Sequence, residues 1–454
     1  MSAASSISPT PTIEFIFHGT GTSSSVPNIS CLTASPIACE TCGSTLTPQG
    51  QKNKRRNTGG ILRISRNGDQ PERVIVIDVG KTFLSAAHDL FPRYGLRRID
   101  AVLLTHPHAD AMNGLDDLRG WTLGGSIQDY IDIYVSSFTF KEVQRSFPYL
   151  VSKEFATGGG DIPEFRWHII KENESFKMEG VDLDITPIAV HHGRLFANDE
   201  AGPPGFMPTP NNTPGVSRAA TPSKSLLGLS SLHSRHGSAE SLELRHSPLN
   251  PRANQHPPRS SEAAPNYVVA PQPHSLSAKI KPYMCYGFIV GNFMVYISDV
   301  SYIPQDAWET IELSALAGKS GMKLDGSMAS LSIGDSTQLK QSNPYKLLVI
   351  DCLKLEAHTS HFGLQGAVDT ARRLNAKRTY MVGFGHRIPH SDWLSIGESL
   401  EGRRLGEEEA QRPHVVQAME MVSLPEGESI WIRPAHDGLR LFANDTDIWD
   451  EEQE

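Results

Sequence analysis

A chain of 454 residues with 42 Lys and Arg against 51 Asp and Glu carries a formal net charge of −9. That balance excludes a basic nucleic-acid-binding surface as its main feature, because phosphate contacts need a clustered positive field. Five cysteines, an odd number with no secretory leader, fit reduced thiols or metal ligands rather than a disulfide framework, and no apolar run spans a bilayer, so the expected location is cytoplasmic, with nuclear access open.

In chain order, residues 1–12 are small, polar and proline-containing, and read as disordered. Residues 13–17 read as the first strand, ending at His18-Gly19-Thr20-Gly21-Thr22, whose glycines permit a sharp turn but lack the spacing of a dinucleotide loop. Cys31, Cys39 and Cys42 follow, the last two as CETC, a spacing by which one loop presents two thiolates to zinc. The run KNKRR at 52–56 reads as a solvated basic loop in preference to an anion contact. Residues 60–64 and 74–77 read as paired strands. Asp78, at the end of the second, is either a turn residue or an acceptor that orients a ligand histidine.

Further strand signals fall at 101–104, 131–135, 184–190, 284–290, 293–297, 347–350 and 379–382. The spacing of Ala367, Val368, Ala371 and Leu374 predicts an amphipathic helix over 364–374. From 201 to 281, proline, serine, asparagine and threonine crowd in, and such a segment cannot bury enough apolar surface to offset its ordering entropy. It reads as a disordered insertion that splits one domain into 13–200 and 282–444, with Thr209, Thr213, Thr221 and Ser247, each before proline, as candidate phosphorylation sites. Residues 317–343 read as a second long surface loop, and 445–454 as a frayed acidic tail.

The chemistry concentrates in LLTHPHADAMNGLDDLRG, residues 103–120. A buried strand ends there, and the polar run after it sets His106, His108 and Asp110 on one strand-to-helix connection. Two imidazoles two residues apart can grip one ion, and the carboxylate two further on can reach a second ion or a bound water. Other candidate ligands also sit at strand ends: His191 and His192 in VHHG, Asp299 after VYIS, and His386 in GFGHRIPH.

These blocks together resemble a metallo-β-lactamase-fold hydrolase. More narrowly they resemble the branch typified by the phosphoribosyl 1,2-cyclic phosphate phosphodiesterase and its eukaryotic relatives. The matching pieces are HGTGTSSSVPNISC, the cysteine pair, VIDVG, THPHADAMNGLDDLR, VHHG, YISDVS, SHFG and GFGHRIPH, spanning roughly residues 15 to 395. The resemblance implies an α/β fold, the αββα sandwich with metals at the sheet edge, here carrying a long disordered insertion. It implies that His106, His108 and His192 hold a first metal, that Asp299 bridges, and that Asp110 and His386 complete a second. His191 is the weaker member of its pair. Where the family commonly has histidine after the aspartate, this chain has Ala111, so the second site is completed by water or by Asp116, or is empty. Cys31, Cys39, Cys42 and His390 resemble a separate structural zinc site, and His361 stands where the family places a histidine near the scissile group.

The expected function is hydrolysis of a small phosphodiester, cyclic or not, by a metal-activated water. One or two divalent ions, zinc or manganese, would serve the active site, and one zinc the cysteines. Asp110 would orient the nucleophile, and His361 would contact the phosphate or protonate the leaving oxygen. Two alternatives remain open: a thioester, lactone or ester hydrolase, and a non-catalytic regulatory protein that works through its insertion. A small-molecule partner is expected and neither nucleic acid nor membrane; a homodimer is compatible with the resemblance.

Overall fold

Side chains alternate across a strand, and here both faces of most strands are apolar, so each sheet must be covered on two sides. The computed structural model describes residues 13–65, 71–156, 162–196, 280–320 and 345–451, all of one compact unit. Among these residues fifteen strands form two sheets. The first holds β1 (Ile13–Gly19), β2 (Gly59–Ile64), β3 (Arg73–Ile77), β4 (Ala101–Leu103), β5 (Ile131–Ser136), β6 (Phe165–Ile170), β14 (Arg440–Ala443) and β15 (Ile448–Asp450), in the spatial order β15-β14-β1-β2-β3-β4-β5-β6. The second holds β7 (Phe176–Lys177), β8 (Asp184–Phe196), β9 (Ile280–Val290), β10 (Met294–Ile297), β11 (Leu347–Asp351), β12 (Arg378–Val382) and β13 (Ile432–Pro434), in the order β13-β12-β11-β10-β9-β8-β7. The longer helices are α1 (Phe83–Arg93), α2 (Ser137–Ser146), α3 (Gln305–Ser320), α4 (Leu364–Leu374), α5 (His390–Glu401) and α6 (Pro413–Met421).

Alternation sorts the core into three layers. Phe15, Phe17, Leu62, Ile75 and Leu103 of the first sheet meet Ile185, Phe288, Met294, Tyr296 and Val349 of the second between the sheets. Their chain neighbours Ile16, Ile61, Val76 and Val102 face outward, under Phe83, Ala86 and Leu90 of α1. Val295, Ile297, Leu348 and Ile350 do the same on the other side, under α3, α4 and α5. The result is the expected αββα sandwich, and α4 has the bounds the periodicity predicts.

Three expected boundaries are corrected. β8 runs six residues past position 190, and β9 begins at Ile280, because the two form one antiparallel hairpin in which Phe196 pairs with Ile280. Ile280 and Lys281 therefore belong to the domain rather than to the insertion. The acidic tail is a strand through Asp450: β15 pairs with β14, and the buried Asp450 carboxylate accepts from Arg378 Nη1 at 2.6 Å and Tyr380 Oη at 2.8 Å. Residues 317–320 extend α3 rather than opening a loop. Residues 1–12, the insertion from 201 to 279 with its threonine and serine sites, and 321–344 lie outside the described residues. Among the described residues no helix is long and apolar enough to cross a membrane.

Candidate metal centre

β3 and β4 run parallel and end together, with Ile77 opposite Leu103, so the residues after them meet at one edge. Asp78 takes a left-handed conformation, φ 61°, and its carboxylate accepts from Thr105 N at 2.9 Å and Thr105 Oγ1 at 2.8 Å. The Thr105 hydroxyl has one proton, spent on Asp78, so its oxygen accepts from His106 Nδ1 at 2.8 Å. This relay leaves His106 Nε2 as the bare nitrogen, and that atom is buried with no hydrogen-bond partner. Asp78 is thus both a left-handed turn residue and an acceptor that, through Thr105, orients the His106 ring.

His108 precedes the short helix Ala109–Met112, and His192 lies on β8. His192 Nδ1 donates to the Ser360 carbonyl at 2.8 Å, and its Nε2 stands 3.2 Å from His108 Nδ1. That separation is close to the edge of a tetrahedron built on bonds of about 2.0–2.1 Å. His106, His108 and His192 each offer a ligand atom within 4.8 Å of the others. Burial, reinforced by the neighbouring imidazoles, lowers His106 to about 3 and His108 to about 4, so both are neutral donors at pH 7.

A second group shares His192: His192, Asp299 and His361 also bring ligand atoms within 4.8 Å. Asp299 follows β10. His361 precedes α4, and its Nδ1 donates to Asp351 Oδ2 at 2.8 Å, the last residue of β11. Burial opposes protonation of His361, but the Asp351 carboxylate raises it to about 9. Asp351 is fully buried, and a Cβ on Gly383, φ 82°, would stand 2.5 Å from its Oδ1, so only glycine fits there. Sequence reasoning missed Asp351, although LLVID ends in a carboxylate as YISD does. Asp110, Ala111 and Asp299 line a cavity of about 10 Å³, room for one ion or water. Burial, with Asp299 nearby, raises the Asp110 carboxyl, and burial raises Asp78 well above its ordinary range. The Asp299 carboxylate and the orphaned imidazole nitrogen of His106, with Asp110 lining the same cavity, make a donor set that suits divalent cations.

The structure corrects two histidines. His386 is not at the sheet edge: its Nδ1 lies 3.4, 3.5 and 3.6 Å from the thiols of Cys31, Cys39 and Cys42. These four form a Cys3His set, a zinc ligand combination. Burial and the neighbouring thiols push Cys42 up to about 12, a state a zinc ion would reverse. The cause is the path after β12. Gly383 N and Phe384 N donate to Thr20 O at 2.9 and 3.1 Å, and the buried Arg55 guanidinium donates to Gly385 O and, at 2.9 Å, to Ile388 O. The loop is thus pinned with His386 facing the cysteines. His390 is instead the first residue of α5; its backbone N donates to Asn53 Oδ1 at 2.7 Å and its ring lies 5.5 Å from His436.

His361, rather than His386, is the histidine that groups with His192 and Asp299. Asp116 is engaged by Arg119 and stays out of both histidine groups. The ring of His191 turns to Tyr302, at 5.2 Å. The basic run 52–56 is not simply solvated: Arg55 is 1% exposed, and Arg56 pairs with Asp89 at 3.3 Å.

By sequence, residues 73–208 match the family described as the beta-lactamase superfamily domain. An octanoyltransferase of Porphyromonas gingivalis is 30% identical over 182 residues, 40% of this chain; the chain spans only 31% of that relative's length. Among solved structures, a diphosphatase of the PhnP family aligns over 95% of this chain and 98% of its own, at 18% identity and a TM-score of 0.49. Zinc-bound PqqB of Methylobacterium extorquens aligns over 95% and 100%, at 14% identity and a TM-score of 0.47.

Proposed function

Starting from a metallo-β-lactamase fold with two histidine groups at its sheet edge, we propose that this protein is a metal-dependent hydrolase of a small phosphodiester. The observation that carries the reading is that two three-residue donor sets share His192 beside a cavity of ion size. His106, His108 and His192 would hold one ion; Asp299, His361 and Asp110 would hold the other, with Asp299 between them. Ions so held supply charge stabilisation for a phosphate and acidify a water near neutral pH.

The chain's own residues do the rest. The Asp78–Thr105 relay presents His106 with its lone pair inward, and the Ser360 carbonyl does so for His192. Asp351 fixes the His361 ring. Asp110, which lines the cavity and has its carboxyl raised by burial and by Asp299, would orient an attacking water and take its proton. What favours a phosphodiester over a carboxylic ester is the run of sequence blocks shared with the cyclic-phosphate phosphodiesterases. What favours an enzyme over a scaffold is the gathering of His106, His108, His192, Asp299 and His361 into two adjoining donor sets, more than a structural site needs; Ala111, which cannot coordinate, counts the other way.

The test is elemental analysis of the full chain and of His106→Ala, both purified without chelator, alongside hydrolysis of bis(p-nitrophenyl) phosphate and of an acyl thioester. The expected result is up to two ions plus one cysteine-bound zinc, with His106→Ala losing the former and the phosphodiesterase activity together. A single zinc that survives His106→Ala would mean that only the cysteine set is filled, and the hydrolase reading would fall. Thioester cleavage without diester cleavage would keep the metal chemistry and overturn the substrate.

A further inference from the structure

Three imidazoles converge, but hydrogen bonds hold only two of them. His106 Nδ1 is fixed by Thr105, and His192 Nδ1 by the Ser360 carbonyl. His108 turns Nδ1 to the centre, is the least buried residue of the three, and no hydrogen bond among the described residues holds its Nε2. What meets that ring is Tyr283, stacked face to face with centroids 4.6 Å apart and planes 10° apart. Phe138 abuts Tyr283 edge-on at 5.6 Å and 82°, backing it from α2.

The placement comes from the backbone. In the β8–β9 hairpin His191 pairs with Met284 and Arg194 with Pro282, so two residues, His192 and Gly193, oppose the single Tyr283. Such a bulge re-aims the side chains beside it. Here it brings Tyr283 within 6.1 Å of His192 and against His108. Aromatic stacking adds attraction beyond simple burial and favours one ring orientation.

We propose that Tyr283 is a positioning residue for the histidine metal site: its ring fixes the plane of His108, the task that hydrogen bonds perform for the other two ligands. The inference rests on reading His106, His108 and His192 as metal ligands. It is the ring face that acts, and the hydroxyl is dispensable.

The test is a chelator competition on the zinc-loaded full chain, which resolves the histidine and cysteine sites, repeated with Tyr283→Phe and Tyr283→Leu. Cobalt-substituted spectra of the same proteins report ligand geometry. The expected result is that Tyr283→Leu weakens zinc at the histidines about ten-fold or more and shifts the cobalt bands. The cysteine site should stay unchanged, and Tyr283→Phe should behave as the wild type. Equal affinity in Tyr283→Leu overturns the proposal, as does a Tyr283→Phe that weakens the site as much. Parallel weakening of both sites shows general loosening and overturns it too. If His106→Ala and the wild type hold the same zinc, the ligand reading itself has failed, which is a different result from a silent Tyr283→Leu in a chain that does load its histidines.

Discussion

Single residues show where local pattern carries information and where it stops. His106, His108 and Asp299 were singled out because each follows a strand closely, and strand ends gather at one edge; His192, chosen on the same rule, lies inside β8 and yet joins them in two groups. Asp351 obeys the same rule and was passed over as the last residue of an apolar run. His390 was set with the cysteines in place of His386 because nothing within GFGHRIPH records that Thr20 and Arg55, more than 300 residues earlier, pin that loop. His18 is another residue whose meaning lies in its surroundings. It is buried, its Nε2 meets the carbonyls of Ile77 and Asp78, and burial lowers it to about 4 although those carbonyls pull the other way. The unfolded chain takes that proton near 6.5 and the folded chain near 4, so the unfolded state binds more protons between them. Stability from this group is therefore complete above pH 6.5 and is lost as pH falls toward 4, by on the order of 3 kcal/mol. Urea unfolding of wild type and His18→Gln should show a stability difference that shrinks across this window. A difference independent of pH would acquit His18.

At the scale of elements, α4 was read to the residue because its period is clean and Asn375, φ 50°, ends it in the left-handed conformation that stops a helix. The segment after β12 was not, because it has no period. Its shape is imposed by a guanidinium buried under Phe384, 5.1 Å from the ring centroid, with carbonyls as its acceptors. Arg55→Met would leave Gly385 O and Ile388 O without their donor. Loss of a buried charged hydrogen-bonding partner costs about 2–4 kcal/mol. The expected outcome is an unfolding free energy lowered by that amount in denaturant titration, together with weaker zinc at the cysteines and unaltered zinc at His106, His108 and His192. A variant as stable as the wild type would show that the loop holds its shape without Arg55.

For the molecule as a whole, the apolar strands announced a sheet protein and the family resemblance supplied the two-sheet sandwich, but which strands join which sheet was not legible, since both faces of most strands are apolar. The β8–β9 hairpin shows how a long insertion is accommodated. Phe196 and Ile280 face each other as a paired rung, so the chain leaves the sheet and re-enters it at one place. Replacing residues 199–278 with a short Asn-Gly turn should therefore leave the thermal midpoint within a few degrees and both zinc sites filled. Loss of the histidine-bound zinc in that variant would mean the segment contributes to the site. The first sheet has the opposite economy. β1 is hydrogen-bonded on one side by β2 and on the other by β14, which begins at Arg440. During synthesis β1 can gain β2 early, but its other edge stays open until β14, more than 400 residues later, has left the ribosome. At about 5–20 residues per second that delay is on the order of a minute. For that time an apolar strand edge is exposed in the cell, and a chaperone that shelters nascent sheet edges is the helper this topology calls for.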